Sequence, residues 1–316
     1  MQLIEVREKA DSLKENIKKV IIGKDETINH LITALFAEGH VLLEDVPGSG
    51  KTMLAKALAK SIDGGFKRIQ MTPDLLPSDI TGINYFDMKT SEFRFIKGPV
   101  FTNILIADEI NRANPKTQAG LLECMEEKQV TVDGTTYELD DTFMVIATEN
   151  PVDSQGVFKL PEAQIDRFLM KLYMEYPEHS DMVEILKVHS EKELLDEITP
   201  VMTVAEIKKI AAMVKSVRVD DCLFEYVANI VERTRNHEDI ILGISQRGGI
   251  ALVKAAKSMA LISGRDYVLP DDIKACAPAV LSHRLLLKNS QRLKKNGERE
   301  IVLDILNEVE VPTEPI

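Results

Sequence analysis

The stretch Leu42-Leu43-Glu44-Asp45-Val46-Pro47-Gly48-Ser49-Gly50-Lys51-Thr52 constrains this chain more than any other. It joins the apolar run Val41 to Leu43 to a segment in which Leu54, Leu58 and Ile62 recur at helical spacing, through a glycine-containing turn ending in Gly-Lys-Thr. That order has a chemistry. Gly48 and Gly50 let backbone N–H groups turn inward onto an anion, the helix N-terminus adds positive potential, Lys51 reaches terminal phosphates, and Thr52 offers a hydroxyl to a magnesium ion. Asp45 stands where the general pattern G-x-x-x-x-G-K-[ST] has glycine. The strand-to-helix setting therefore carries much of the reading as a phosphate-binding loop.

The rest of the chain reads in order around that unit. Two helices precede it, one with Ala10, Leu13, Ile17, Val20 and Ile21 on a face, the other with Ile28, Leu31, Ile32, Leu35 and Phe36. A strand over Phe66 to Met71 follows, then a polar stretch with Pro73, Pro77 and Gly82 that is not expected to be regular helix. Alternation at Ile83 and Tyr85, and again at Phe93 and Phe95, predicts a small hairpin inserted in an α/β core. Asp133-Gly134 between Val130-Thr131-Val132 and Thr135-Thr136-Tyr137 predicts a second.

Ile104-Leu105-Ile106-Ala107 is nearly all apolar, as a central strand of a parallel sheet would be, and it ends in Asp108-Glu109. Beside a phosphate loop, the first acid would help hold magnesium and the second would orient and deprotonate the water that attacks the γ-phosphate. In isolation the pair would be two solvated residues where a strand meets a loop. Asn150, after the strand Phe143 to Ala147, is either a turn residue before Pro151 or a hydrogen-bonding partner of that phosphate or water. Arg167, between a short helix and a last strand from Phe168 to Met174, either pairs with Asp166 or another surface acid, or reaches the γ-phosphate of a neighbouring subunit.

Beyond Tyr176-Pro177 strand-like runs give way to helical periodicity, which divides the chain into an α/β core over 1–177 and a helical domain with a C-terminal tail over 178–316. Thr203 and Glu206 form a capping box, Leu223, Val227, Ile230 and Val231 line a second helix, and Ile250, Val253 and Lys257 lie on a third, shared with Ala255, Ala256 and Met259. Arg247 falls at the start of that third helix, where it is either a solvated cap or a contact to phosphates from the second domain. Residues Ile301 to Val309 form a possible final helix.

Composition excludes some classes of function. A 44% apolar content in 316 residues is that of a globular protein, and a net charge of −12 argues against a chain whose task is to neutralise nucleic acid or anionic membrane. Cys124, Cys222 and Cys276 are far apart, with no C-x-x-C pairing, so neither a zinc site nor a disulfide framework is expected. No apolar stretch approaches the roughly 20 residues of a membrane helix, and the N-terminal residues lack the pattern of a signal peptide, so the expected location is the cytoplasm.

Taken together, Glu44 to Thr52, Arg68 to Asp79, Ala107 to Arg112, Ala147 to Pro151 and Leu160 to Phe168 resemble the AAA+ ATPases, and the local wording is close to the MoxR branch over nearly the whole chain. The resemblance implies a P-loop core, with a parallel sheet flanked by helices and two β-hairpin insertions, followed by an all-helical lid. It implies ATP and Mg²⁺ as ligands, with Lys51 and Thr52 in Walker A, Asp108 and Glu109 in Walker B, Asn150 as sensor 1, Arg167 as the arginine finger and Arg247 as sensor 2. Pro47, Gly48, Ser49, Gly50 and Met53 would complete the nucleotide contacts, and Val20-Ile21-Ile22-Gly23 resembles the stretch that packs on adenine, through Ile22. Thr52 and Asp108 would hold the metal, while Glu109, Asn150, Arg167 and Arg247 would be catalytic. It further implies an oligomeric ring, commonly a hexamer, that remodels or assembles protein clients, often with von Willebrand factor A domains, and no membrane insertion. A nucleotide-gated scaffold with little turnover and a DNA-dependent motor are the competing readings, the intact acid pair speaking against the first and the acidic charge against the second.

Overall fold

In the computed structural model, residues 1–45, 48–149, 157–174, 176–189, 194–288 and 297–312 are described. Helices α1 (Leu3–Lys18) and α2 (Asp25–Phe36) precede β1 (Val41–Asp45), and α3 (Lys51–Ser61) leads into the two-residue β2 (Ile62–Asp63) and then β3 (Phe66–Gln70). A short helix α4 (Pro77–Thr81) precedes the hairpin β4 (Gly82–Asp87) and β5 (Glu92–Lys97), followed by β6 (Ile104–Asp108) and α5 (Pro115–Glu127). A second hairpin, β7 (Gln129–Val132) and β8 (Thr135–Glu138), precedes β9 (Met144–Glu149), α6 (Glu162–Ile165) and β10 (Met170–Met174). The remainder is α7 (His179–His189), β11 (Met202–Thr203), α8 (Val204–Ser216), α9 (Asp221–Arg235), β12 (Ile240–Leu242), α10 (Gln246–Ile262), α11 (Pro270–Leu281), β13 (Leu286–Leu287) and α12 (Gly297–Glu308).

Five strands form an all-parallel sheet in the order β10-β1-β9-β6-β3. Alternation assigns its side chains to two cores. Val41, Leu43, Ile104, Ile106 and Ile146 face a cluster shared with α1, α2, α3 and the C-terminal helices, whereas Leu42, Leu105, Ala107, Val145 and Ala147 face a second cluster with α5. β1, the first strand in the chain, lies inside the sheet, so the chain leaves it to one edge and returns to the other. Such a reversal opens a crevice at the carboxyl ends of the strands, which is where this fold places ligands.

Local chemistry explains where elements start and stop. Asn114 caps α5 by accepting from the Thr117 N–H at 3.1 Å, with Pro115 at the first position. Thr203 and Glu206 exchange the two hydrogen bonds of a capping box at α8. Asp133 and Gly134 both have positive φ, as a tight hairpin turn requires. Three local expectations differ from the structure. The helical spacing reaches Ile62, yet the helix ends at Ser61, whose carbonyl accepts from Val201 N–H at 2.9 Å, and Ile62 pairs in β2 with Met202 of β11. The proline-containing stretch does contain a helix, α4, because Pro77 sits in its first turn, where no N–H is needed. In α10, Ala255 and Ala256 are buried, but beside Ala251 and Leu252 and not beside Ile250, which is 70% exposed. Among the described residues, no helix is long and apolar enough to cross a membrane.

His40, at the start of β1, is a buried polar tie between layers. Its Nδ1 accepts from Val145 N–H at 2.9 Å and its Nε2 donates to the Met125 carbonyl at 3.0 Å, an arrangement that needs the neutral ring. Burial pushes its pKa down to about 4, with Lys128 and Lys254 adding to the effect and the Met125 bond opposing it. The unfolded ring takes up a proton near pH 6.5 and the folded one does not, so stability is full above that value and falls as the pH drops towards 4. Urea unfolding at pH 7 and pH 5 is expected to show a loss from this group of about 2 kcal/mol, with a smaller loss in the His40→Gln variant.

Candidate functional site

The loop between β1 and α3 ends in Gly48 and Gly50, both in the left-handed region at φ 85° and 95°. A Cβ at either would meet nothing within 4 Å, so what excludes other residues is the backbone conformation, and the space above the loop is open to a ligand. Gly50 N-caps α3 directly before Lys51 and Thr52, so the N–H groups of the first turn point into that space. Ser49 Oγ is buried without a hydrogen-bond partner, an orphaned polar atom that a phosphate oxygen would satisfy. Met53 is half-buried against the core of α1 to α3. Ile22 is half-buried beside Gly23, against which Asp181 of α7 packs closely. Pro47 lies outside the described residues.

Asp108 and Glu109 stand at the carboxyl end of β6, two strands from the loop. Asp108 is 6% exposed; its Oδ2 takes Arg68 Nε at 2.5 Å, and its Oδ1 takes the Thr148 hydroxyl at 3.3 Å. Glu109 has φ 56° and ψ 54°, a strained conformation for a non-glycine residue that turns its side chain off the line of the strand. Its N–H donates to Thr148 Oγ1 at 2.9 Å, and its carboxylate is held by Gln70 Nε2 at 2.8 Å and Arg112 at 3.1 Å. Arg68, Gln70 and Thr148 come from the ends of β3 and β9, so three strands fix the geometry of two acids. No sequence signal marked these three for the task. Asn150 lies outside the described residues, directly after β9. Thr52 and Asp108 offer a hydroxyl and a carboxylate, the hard oxygen donors that suit magnesium.

Next to Asn150, Glu149 faces Glu44 of β1 and Lys171 of β10 across the strand ends. Burial raises the Glu149 pKa, Lys171 lowers it, and Glu44 raises it again. Lys171 pairs with Glu44 and holds the end of β1 to β10 below the phosphate loop.

Arg167 and Arg247 form a second constellation. Both guanidinium groups pair with Glu126 of α5, Arg167 through Nε at 3.2 Å. Asp166, the other partner conceivable for Arg167, is occupied instead by Arg284. That guanidinium is 3% exposed and donates to Asp166 Oδ1 at 2.6 Å, to the Asp166 carbonyl at 3.1 Å, and to the Phe168 and Leu169 carbonyls at 2.7 and 3.3 Å. Burial lowers its pKa, and Asp166 opposes that shift. Ser245, the N-cap of α10, donates to Asp166 Oδ2 at 3.4 Å, which ties the start of the Arg247 helix to the same carboxylate. Gly248 is needed here because a Cβ would lie 2.5 Å from Ile244 Cγ2 and 3.0 Å from Arg284 Cδ. Glu126, Asp166 and Arg284 were not legible as a group, since they come together only in three dimensions.

A parallel sheet with a phosphate loop at one strand end, an acid pair at another and a helical second half defines an ATPase of the AAA class. The comparisons agree. The model of the ATPase family associated with various cellular activities matches residues 40–170, and that of the AAA lid domain matches residues 232–305. The chain belongs to the MoxR family of these ATPases: it is 36% identical over 310 residues to Chaperone MoxR1 of Mycobacterium tuberculosis, covering 94% of this chain and 80% of that one, and 30% identical to Protein MoxR of Methylorubrum extorquens, covering 97% and 95%. It is also 48% identical to the YeaC protein of Bacillus subtilis, covering 95% and 94%. A solved structure of a Cytophaga hutchinsonii protein assigned as an ATPase superposes with a TM-score of 0.90 at 38% identity, covering 98% of this chain and 97% of that one.

The Arg284 cluster sets a stability expectation. Arg284→Met leaves the Asp166 carboxylate without its cation and several carbonyls without their donor, and urea unfolding at pH 7 is expected to show a loss of about 3–5 kcal/mol.

Proposed function

We propose that this chain binds ATP with magnesium at the loop preceding α3 and hydrolyses it to ADP and phosphate in an oligomeric ring, using the cycle for chaperone-like remodelling or assembly of protein partners. The observation that carries this reading is the pairing of an open, glycine-shaped anion cradle, with its orphaned Ser49 hydroxyl, and a strained, doubly held Glu109 at a nearby strand end. Gly48, Ser49, Gly50 and the N-terminal turn of α3 receive the phosphates, Lys51 neutralises their terminal charge, and Ile22 and Met53 flank the nucleotide. Magnesium, when bound by Thr52 and Asp108, supplies positive charge at the phosphate oxygens. Glu109 takes a proton from water as the water oxygen bonds to the γ-phosphorus and the bond from that phosphorus to the bridging oxygen breaks.

Arg167 and Arg247 sit together on Glu126, so one surface carries two guanidinium groups suited to the γ-phosphate of a neighbouring subunit. The core over 1–177 and the helical part over 178–316 thus each contribute one cation to that surface. The name Chaperone MoxR1 belongs to the mycobacterial relative, and it supports a protein client for this chain as well.

Lys51→Ala is expected to abolish binding of a fluorescent ATP analogue. Glu109→Gln is expected to retain that binding while releasing phosphate about a hundredfold more slowly; an undiminished rate would remove Glu109 from its role. The rate per subunit of the unmodified chain is expected to rise with protein concentration through assembly, and Arg167→Ala to abolish the rise. A rate that stays flat would count against Arg167 acting on a neighbour.

A further inference from the structure

Two exposed apolar surfaces stand at opposite ends of α2, and they match one another. At the carboxyl end is a groove of about 970 Å³ between α8, α9 and α10, floored by Phe36, Val214, Val227, Val231 and Val253. Phe224 and Ile250 stand on its walls, 47% and 70% exposed. Its lining carries Lys215, Lys254, Lys257 and Arg235 against Glu38 and Glu232, a positive excess in a chain whose net charge is −12. Glu38 is already engaged by Lys215 at 2.9 Å and by Lys128 at 3.6 Å.

At the amino end, α7 packs over Gly23 through Asp181 and turns Met182, Val183 and Leu186 outward, 39%, 38% and 64% exposed. These three lie at the spacing of one helical stripe, and the charges around them are Glu178, Asp181 and Glu184 against Lys187, an acidic excess. A helix of this kind, apolar on one stripe and acidic beside it, is what an apolar groove with a basic rim accepts. The twelve residues of α2 span about 18 Å. The two surfaces therefore belong to different faces of one chain.

We propose that the occupant of the groove is α7 of a second copy of this chain. The two surfaces differ, so the contact is head-to-tail, the kind that closes into a ring when the rotation permits. The groove is continuous with the arginine cluster, because Glu38, Ile250 and Lys254 also line the cleft that holds Glu126, Arg167 and Arg247. Seating α7 there brings the Gly23 edge of one subunit, beside the Ile22 proposed above to flank the nucleotide, onto the face that carries both arginines of the other. The assignment rests on the reading of Arg167 as serving a neighbour, and it names the contact that would align the two.

Sedimentation velocity of the full chain carrying Glu109→Gln, with ATP and magnesium, tests it. Leu186→Asp and Ile250→Asp, each at an exposed position, are expected to raise the concentration for half-assembly about tenfold or more. Binding of a fluorescent ATP analogue and the thermal midpoint of each variant should stay at the parent values, which separates lost assembly from lost folding. The two variants mixed are expected to form a dimer that neither forms alone, since one retains an intact groove and the other an intact α7. Parent-like assembly of both variants, which is the result if a client or another part of the chain fills the groove, overturns the proposal, as does a mixture that behaves as its components do. If the contact is confirmed while the rate in the parent chain stays flat with concentration, the trans role of Arg167 falls and the contact stands; the reverse pattern sinks the contact alone.

Discussion

The buried guanidinium of Arg284 is the interaction on which the second constellation depends. It sits where the segment carrying Arg167 passes from α6 into β10, and it gathers a carboxylate and several backbone carbonyls that would otherwise face the interior without donors. A planar group with five donors suits such a convergence, and a lysine would satisfy only part of it. Because Asp166 also accepts from Ser245, the same hub fixes the first turn of α10. The positions of Arg167 and Arg247 are thus consequences of one desolvated charge, which comes from the turn Ser282–Arg284 between α11 and β13 and not from either arginine's own neighbourhood.

The molecule accordingly has two polar regions with different logic. At the strand ends, donors from β3 and β9 orient Asp108 and Glu109: the acids end β6, which like its neighbour β9 is buried on both faces, while the more exposed edge strand β3 supplies Arg68 and Gln70. On the other side, Glu126 accepts two guanidinium groups at once, a site that lacks the charge balance of the first. One carboxylate facing two cations leaves a net positive surface, and a second anion would complete it.

Much of this was legible in the chain because the signals are local. Gly-Lys-Thr after an apolar run, Asp-Gly between β-formers and Thr-x-x-Glu ahead of α8 each act within a few residues, and each appears where its chemistry requires. The partners of the site residues were not legible. Gln70, Thr148 and Glu126 meet their acids and cations across strands and helices far apart in sequence. The misjudged face of α10 has a different cause. Ile250 carries more hydrophobicity than Ala251, but the side of α10 that packs closely takes Ala251, Leu252 and Ala255, so Ile250 was left outside and Val253 only half-buried. The end of α3 failed for a third reason: Ile62 continues the helical period, yet the carbonyl before it is claimed by a strand from the second half of the chain.

That last pairing reaches further than its two residues suggest. α3 begins at the phosphate loop and ends where β2 meets β11, and β11 runs straight into α8, the first long helix of the C-terminal half. Asn16 bridges the same junction, donating to Ser61 Oγ and to the Thr199 carbonyl, both at 2.9 Å. A rod anchored in this way transmits axial displacement better than a loop does. A shift of the phosphate loop along α3 would therefore reach the base of the helical half, while the start of α10 stays tied to Asp166 and Glu126. The link between the phosphate loop and the helical half thus runs through a pair of two-residue strands.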